Sequence, residues 1–134
     1  MKVLFTVNGY PPREAAGTEL YARDLAAAIS GEACLMVFCR TVDRSLPEHS
    51  LVRDVVEGSR VVRMVNNVAG ALDPERYYSD PKADAIFKGL LDEFRPDIVH
   101  IHHLMGLSGG IVAAAKDAGI PVVVTLHDYW FICP

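Results

Sequence analysis

The chain predicts an α/β fold, a Rossmann-like doubly wound parallel sheet flanked by helices in a single domain. Three observations carry this. Strand-length runs rich in Val, Ile and Leu (KVLFTV, VVRMV, DIVHIH, PVVVTL) are near-continuous rather than alternating, the pattern of strands buried on both faces. Segments of helical period separate them. The 134 residues, 51% hydrophobic and 22% charged, suffice for one core and contain no internal repeat or low-complexity run.

The elements follow in order. Lys2 to Val7 is the first strand, and after the loop Gly9 to Gly17 a helix opened by Thr18 places Tyr21, Leu25, Ala28 and Ile29 on one face, with Gly31 closing it. Ala33 to Cys39 is the second strand and Val61 to Val65 the third. Residues 41–60 fit no single element, and Asn66 to Ser79 is rich in turn formers. Asp80 caps the next helix, Pro81 suits its first turn, and Ala83, Phe87, Leu90, Leu91 and Phe94 form its apolar stripe until Pro96 forbids continuation. Asp97 to His102 is the fourth strand. Ser108 caps a short helix through Ala118, Gly119 is placed for a left-handed C-terminal cap, and Pro121 to Leu126 is the fifth strand. Right-handed crossovers between parallel strands then give the order 3-2-1-4-5.

Several function classes are disfavoured. The formal charge is −4 with no cluster of Lys and Arg, so the chain lacks the electrostatic footprint of a nucleic-acid binder. The apolar run Met1 to Val7 is far too short to cross a bilayer and is not a signal peptide. Cys34, Cys39 and Cys133 are odd in number and form no Cys-x-x-Cys, which fits reduced thiols in a cytoplasmic location, Cys34 and Cys39 being strand and core residues. The first loop lacks both the Gly-x-Gly-x-x-Gly of a dinucleotide site and the Lys of a P-loop. His100, His102, His103, His127, Asp128 and Cys133 supply no preformed metal-binding spacing, so neither metal nor cofactor is expected.

Polar residues concentrate at strand ends, Asn8 and Gly9 after the first, Asn66 and Asn67 after the third, His102 and His103 after the fourth, His127 and Asp128 after the fifth. All lie on the carboxyl edge, where open α/β sheets bind ligands. Gly17 stands where a helix begins, and either its free amides receive a phosphate or carboxylate or the glycine merely permits a tight turn. His100 reads as a buried histidine bonded to backbone, whereas for His102 structural and functional roles stay open. Asp128 either orients His127 or bonds a ligand hydroxyl. Tyr129 and Trp130 stack on a ligand ring, dock another domain, or fill the core.

The segments KVLFTVNGYPPREAAGTELYARDLAAAIS, DEFRPDIVHIHHLMGLSG and GIPVVVTLHDYWFICP together resemble the amino-terminal half of retaining family-4 glycosyltransferases of the GT-B fold. The resemblance covers nearly the whole chain, although residues 41–80 carry no signature. It implies an acceptor-side domain whose donor-binding carboxyl-terminal partner domain lies beyond residue 134, so that residues 1–134 alone are inactive. The family's Gly-Gly-x-Glu loop maps onto Ala16, Gly17, Thr18 and Glu19, with Ala16 replacing the first glycine, and implies a donor-phosphate contact. The His-x-His of the fourth strand maps onto His100 and His102, and the strand-five histidine beside the reacting carbon maps onto His127, the implied catalytic residue. Asn8, His102, His103, Asp128, Tyr129 and Trp130 are then candidate acceptor contacts, and Arg76, Tyr77 and Tyr78 candidates for specificity. The implied partners are a nucleotide sugar and a sugar or lipid-linked acceptor, with peripheral membrane contact compatible. A second reading is a complete, non-enzymatic Rossmann-like ligand or partner module. An NDP-sugar epimerase or reductase fails on the missing glycine fingerprint.

Overall fold

The protein, described as a computed structural model over residues 1–67 and 73–132, alternates strands and helices as β1 (Lys2–Val7), α1 (Gly17–Ile29), β2 (Cys34–Thr41), β3 (Leu51–Val56), β4 (Ser59–Val65), a 3-10 turn at Pro74–Tyr77, α2 (Pro81–Phe94), β5 (Ile98–Ile101), α3 (Gly110–Asp117) and β6 (Val122–Val124). The sheet order is β3-β4-β2-β1-β5-β6, parallel throughout except for the antiparallel β3–β4 pair. The five expected strands thus occupy the expected order. Residues 41–60, for which the periodicity assigned no element, supply β3 and the first two residues of β4. The pair closes through Glu57 (φ 49°) and Gly58 (φ 82°), two consecutive left-handed residues that match strand twist in a two-residue hairpin.

Alternation along β1 decides the layering. Leu4 enters a core with Met36, Phe38, Val62 and Met64 of the neighbouring strands and the buried faces of α2 and α3. Val3, Phe5 and Val7 enter a second cluster with Ala22 and Ala26 of α1. In α2 the expected stripe is the buried one, the Asp80 carboxylate accepts from the amides of Lys82 and Ala83, and Arg95 (φ 50°) ends the helix before Pro96. The N-cap of α3 is Gly109, one residue past the expected Ser108, whose hydroxyl nonetheless accepts from the Gly110 amide at 3.2 Å; the helix ends at Asp117, and Gly119 (φ 71°) follows its C-cap Ala118.

Four further expectations need correction. The face that α1 buries is Ala22 and Ala26 with Leu25 and Ile29 beside them, while Tyr21 and Ala28 are exposed. Alanine brings the helix close to β1, and the bulky Tyr21 stands at its edge. The helix ends at Ile29, two residues before Gly31, with Ser30 still right-handed. The fifth strand is only Val122–Val124, and Val123 and Val124 are each 45% exposed, because β6 is an edge strand with one paired neighbour. Cys34 begins β2 but is exposed; Cys39 is buried, and burial pushes its thiol up to about 12. The reading of Cys133 lies outside the described residues.

Candidate functional site

The segments that leave β1, β5 and β6 at their carboxyl ends meet the start of α1 around a cleft of about 410 Å³. Asn8, Ala16, Gly17, Thr18, Glu19, His103, Met105, His127, Asp128 and Trp130 line it. Residues 17 and 127, far apart in sequence, therefore share one rim. Among residues proposed from sequence, Tyr129 stands outside this lining at 80% exposed, and His102 is wholly buried behind it.

The loop from Gly9 to Gly17 is held by a residue that the apolar pattern of its strand concealed. Arg63 of β4 is fully buried, and its two terminal nitrogens donate to the carbonyls of Tyr10 (2.7 Å) and Pro11 (2.8 Å). Glu14, 3.5 Å from the same guanidinium, also accepts from the Thr41 hydroxyl at 2.8 Å. A charge in a hydrophobic strand is the signal that marks Arg63, since such a group survives burial only where it is paired. Gly9 is required by this packing: a Cβ there would stand 2.6 Å from Glu14 Cβ.

Gly17 is different. It is helical, it is not among the described glycines with positive φ, and a Cβ on it would meet nothing within 4 Å. The tight-turn reading of Gly17 therefore fails. Ala16 occupies the N-cap without a side-chain hydrogen bond, so no side chain caps the first amides of α1 on the cleft. Glu19, in the same turn, is buried with Oε2 unpaired, and Asn8 Oδ1 is unpaired as well. The cleft thus has backbone donors at the start of α1 that no side chain caps, while the two unpaired acceptor oxygens are themselves buried.

Opposite α1 the imidazoles are arranged by the β5–β6 pairing. His103 Nδ1 accepts from the Met105 amide (3.1 Å), and its Nε2–H donates to Asp128 Oδ2 (3.0 Å). Asp128 Oδ1 accepts from the Trp130 amide at 2.9 Å. That amide bond, opposed by partial burial and helped by His103, holds the Asp128 carboxyl below its ordinary range. Asp128 therefore orients His103, where the sequence reading had offered His127. His127 instead places Nε2 3.3 Å from His102 Nδ1. His100 bonds the hydroxyl of Thr125 at 2.8 Å rather than backbone, and its ring lies 4.1 Å from that of His102. Burial, then the neighbouring imidazoles, push His102 down to about 3, so it is neutral at physiological pH. Burial also lowers His100.

Tyr77 and Tyr78 line an apolar groove of about 300 Å³ with Pro74, Met105 and Trp130; the last two also line the cleft, so the two hollows adjoin. Arg76 does not join them. It pairs with Glu48 (2.9 Å) and Asp80 (3.0 Å) beside a larger hollow of about 490 Å³ at the start of α2. That hollow's His49 and Arg76 both donate to the Asp80 carboxylate. Among the described residues no three His, Cys, Asp or Glu side chains gather to hold a metal. No described helix is long and apolar enough to cross a membrane.

The profile of the glycosyl transferase 4-like domain matches residues 16–132. No curated protein matches the sequence. Among solved structures, sucrose-phosphate synthase from Thermosynechococcus elongatus superposes with a TM-score of 0.64 at 16% identity, over 99% of this chain and 35% of that one. Trehalose-6-phosphate synthase from E. coli, bound with UDP-2-fluoro glucose, gives 0.53 at 13% identity, over 94% and 32%. The chain thus spans about a third of the length of either neighbour, and at such identities the likeness establishes the fold, that of the amino-terminal domain of GT-B enzymes. With the family profile covering most of its length, the chain belongs to the glycosyl transferase 4-like family.

Proposed function

We propose that this chain is the acceptor-side domain of a retaining, hexosyl-transferring glycosyltransferase that uses a nucleotide-sugar donor, without a metal cofactor. The uncapped start of α1, with a glycine that the fold itself does not need, faces His127 across one cleft, and this observation carries the reading. Free amides and the partial positive charge at a helix start favour an anionic group such as the donor diphosphate. Gly17 lets that group approach the backbone, while Ala16 is a Cβ that a second glycine would not carry. Thr18 and Glu19 continue the same turn.

Transfer demands a stabilised leaving group, a sugar held over the acceptor hydroxyl, and exclusion of water. His127 is assigned to the reacting sugar. Asn8, His103, Asp128 and Trp130 are assigned to the acceptor, with the adjoining Tyr77–Tyr78 groove as an extension of that subsite. Tyr129, exposed and outside the cleft, is free to meet a second domain. Because the chain spans about a third of its solved neighbours, the remaining donor contacts are assigned to a carboxyl-terminal domain, and residues 1–134 alone are expected to turn over no sugar nucleotide. A cytoplasmic enzyme acting on a sugar or lipid-linked acceptor accords with this reading.

The test is a panel of sugar nucleotides offered to the enzyme that includes this domain. His127→Ala is expected to lower kcat about 100-fold or more while nucleotide binding is largely kept. An unchanged kcat removes His127 from the reacting centre, and turnover by residues 1–134 alone overturns the two-domain requirement.

A further inference from the structure

We infer that His102 is a positioning residue whose Nδ1–H donates to His127 Nε2, so that His127 is held in the tautomer that presents Nδ1–H to the cleft. For its catalytic consequence this inference rests on the proposed transferase role; the tautomer does not.

The reasoning is an accounting of protons. His102 is wholly buried, and its Nε2 has no partner. Its Nδ1 has one, His127 Nε2 at 3.3 Å. The groups packed around it are the edge of Phe5 (centroids 4.8 Å apart), the stacked ring of His100 (4.1 Å) and Tyr21 (5.9 Å). None of these brings a carboxylate. A neutral imidazole carries one N–H. Were it on Nε2, a donor would be buried unsatisfied, the costlier of the two orphans; on Nδ1 it is bonded and only an aromatic lone pair is left over. His127 Nε2 must then be the acceptor, and the ring's single proton falls on Nδ1.

His127 is part of the cleft lining, and no described group bonds its Nδ1. Tyr21 packs edge-on to its ring at 4.9 Å and limits its rotation. In this state His127 is a hydrogen-bond donor toward a ligand oxygen rather than a general base. The adjacent His103 follows the opposite pattern, because the Met105 amide claims its Nδ1 and leaves Nε2–H for Asp128. Two neighbouring histidines on one edge are thereby set to opposite tautomers by different partners.

Long-range proton–nitrogen correlation spectra of the chain labelled with ¹⁵N-histidine, taken at about pH 8 where an ordinary imidazole is neutral, read the tautomers directly. Expected for His127 are a protonated Nδ1 and an unprotonated, hydrogen-bonded Nε2; for His103 the reverse. In His102→Phe, His127 is expected to revert to the Nε2–H form common in free histidine, and in His102→Asn, which can still donate from its amide, to keep Nδ1–H. A wild-type His127 protonated on Nε2 overturns the inference, and so does a His102→Phe spectrum identical to wild type. The wild-type spectrum decides even if both variants misfold. Failure of the intact enzyme to transfer sugar, with the expected spectrum, would overturn the transferase reading and leave this one standing.

Discussion

The starts of α1 and α2 are the same structural problem solved in opposite ways. At α2 the chain satisfies itself: Asp80 Oδ1 accepts from the amides of Lys82 (3.0 Å) and Ala83 (3.3 Å), while Oδ2 is held by Arg76 and by His49 at 2.7 Å. At α1 the N-cap is Ala16, which has nothing to offer the amides, and the first turn opens on the cleft. A capped start stabilises its own helix, and an uncapped one keeps its donors for a ligand. The larger hollow is at the capped end, where His49 and Arg76 already hold the Asp80 carboxylate.

The contrast is breakable. Asp80→Ala removes the cap and leaves Arg76 and His49 without their shared carboxylate, at a cost of about 3 kcal/mol. A fall in Tm of about 10 °C measured calorimetrically would express it, and a change near zero would show that the network is dispensable. The same site is expected to set an acid limit. Burial works to raise the Asp80 pKa, but hydrogen bonds from His49, the Ala83 amide and Arg76 outweigh it and hold the group below the ordinary 3.8. A carboxyl depressed in the folded state contributes stability above its unfolded value and loses it as pH falls through the folded one. The stability gap between wild type and Asp80→Ala should therefore narrow as pH falls below the ordinary carboxyl range, and a gap that persists undiminished in acid would locate the effect elsewhere.

At α1 the expected stability effect is the smallest. Gly17→Val should alter unfolding free energy by no more than about 0.5 kcal/mol, since a side chain there meets nothing. Donor affinity of the intact enzyme should nonetheless fall about tenfold or more, the equivalent of roughly 1.4 kcal/mol. Loss of stability without loss of affinity would return Gly17 to a purely structural role.

Much of this was legible in the residues. Asp80, Pro81 and Pro96 bracket α2, and the capping residue and stripe read from its sequence are those observed. The hairpin was missed although Leu51 to Val65 holds two strand-forming runs around Glu57-Gly58, a pair that accepts left-handed geometry. Tyr21 was misplaced because helical period alone defines a face only to within a residue or so; the close approach of Ala22 and Ala26 to β1 decided it. Arg63 was hidden for a related reason. A strand pattern says which residues are buried, and not which loop carbonyls wait beneath.

By itself the sequence determined the alternation of strands and helices, their parallel order and the concentration of polar groups on one edge, because burial periodicity and caps are local properties. The partnerships on that edge were decided only by the tertiary structure. His100 with Thr125, His102 with His127 and His103 with Asp128 are each 25 positions apart, and all three follow from one register, in which His100 lies opposite Val123. That register is a pairing between two strands joined only through the α3 crossover, so it is not a local property. A shift of one residue along β6 would turn each side chain to the other face and exchange every pair, leaving the local pattern of the sequence unchanged.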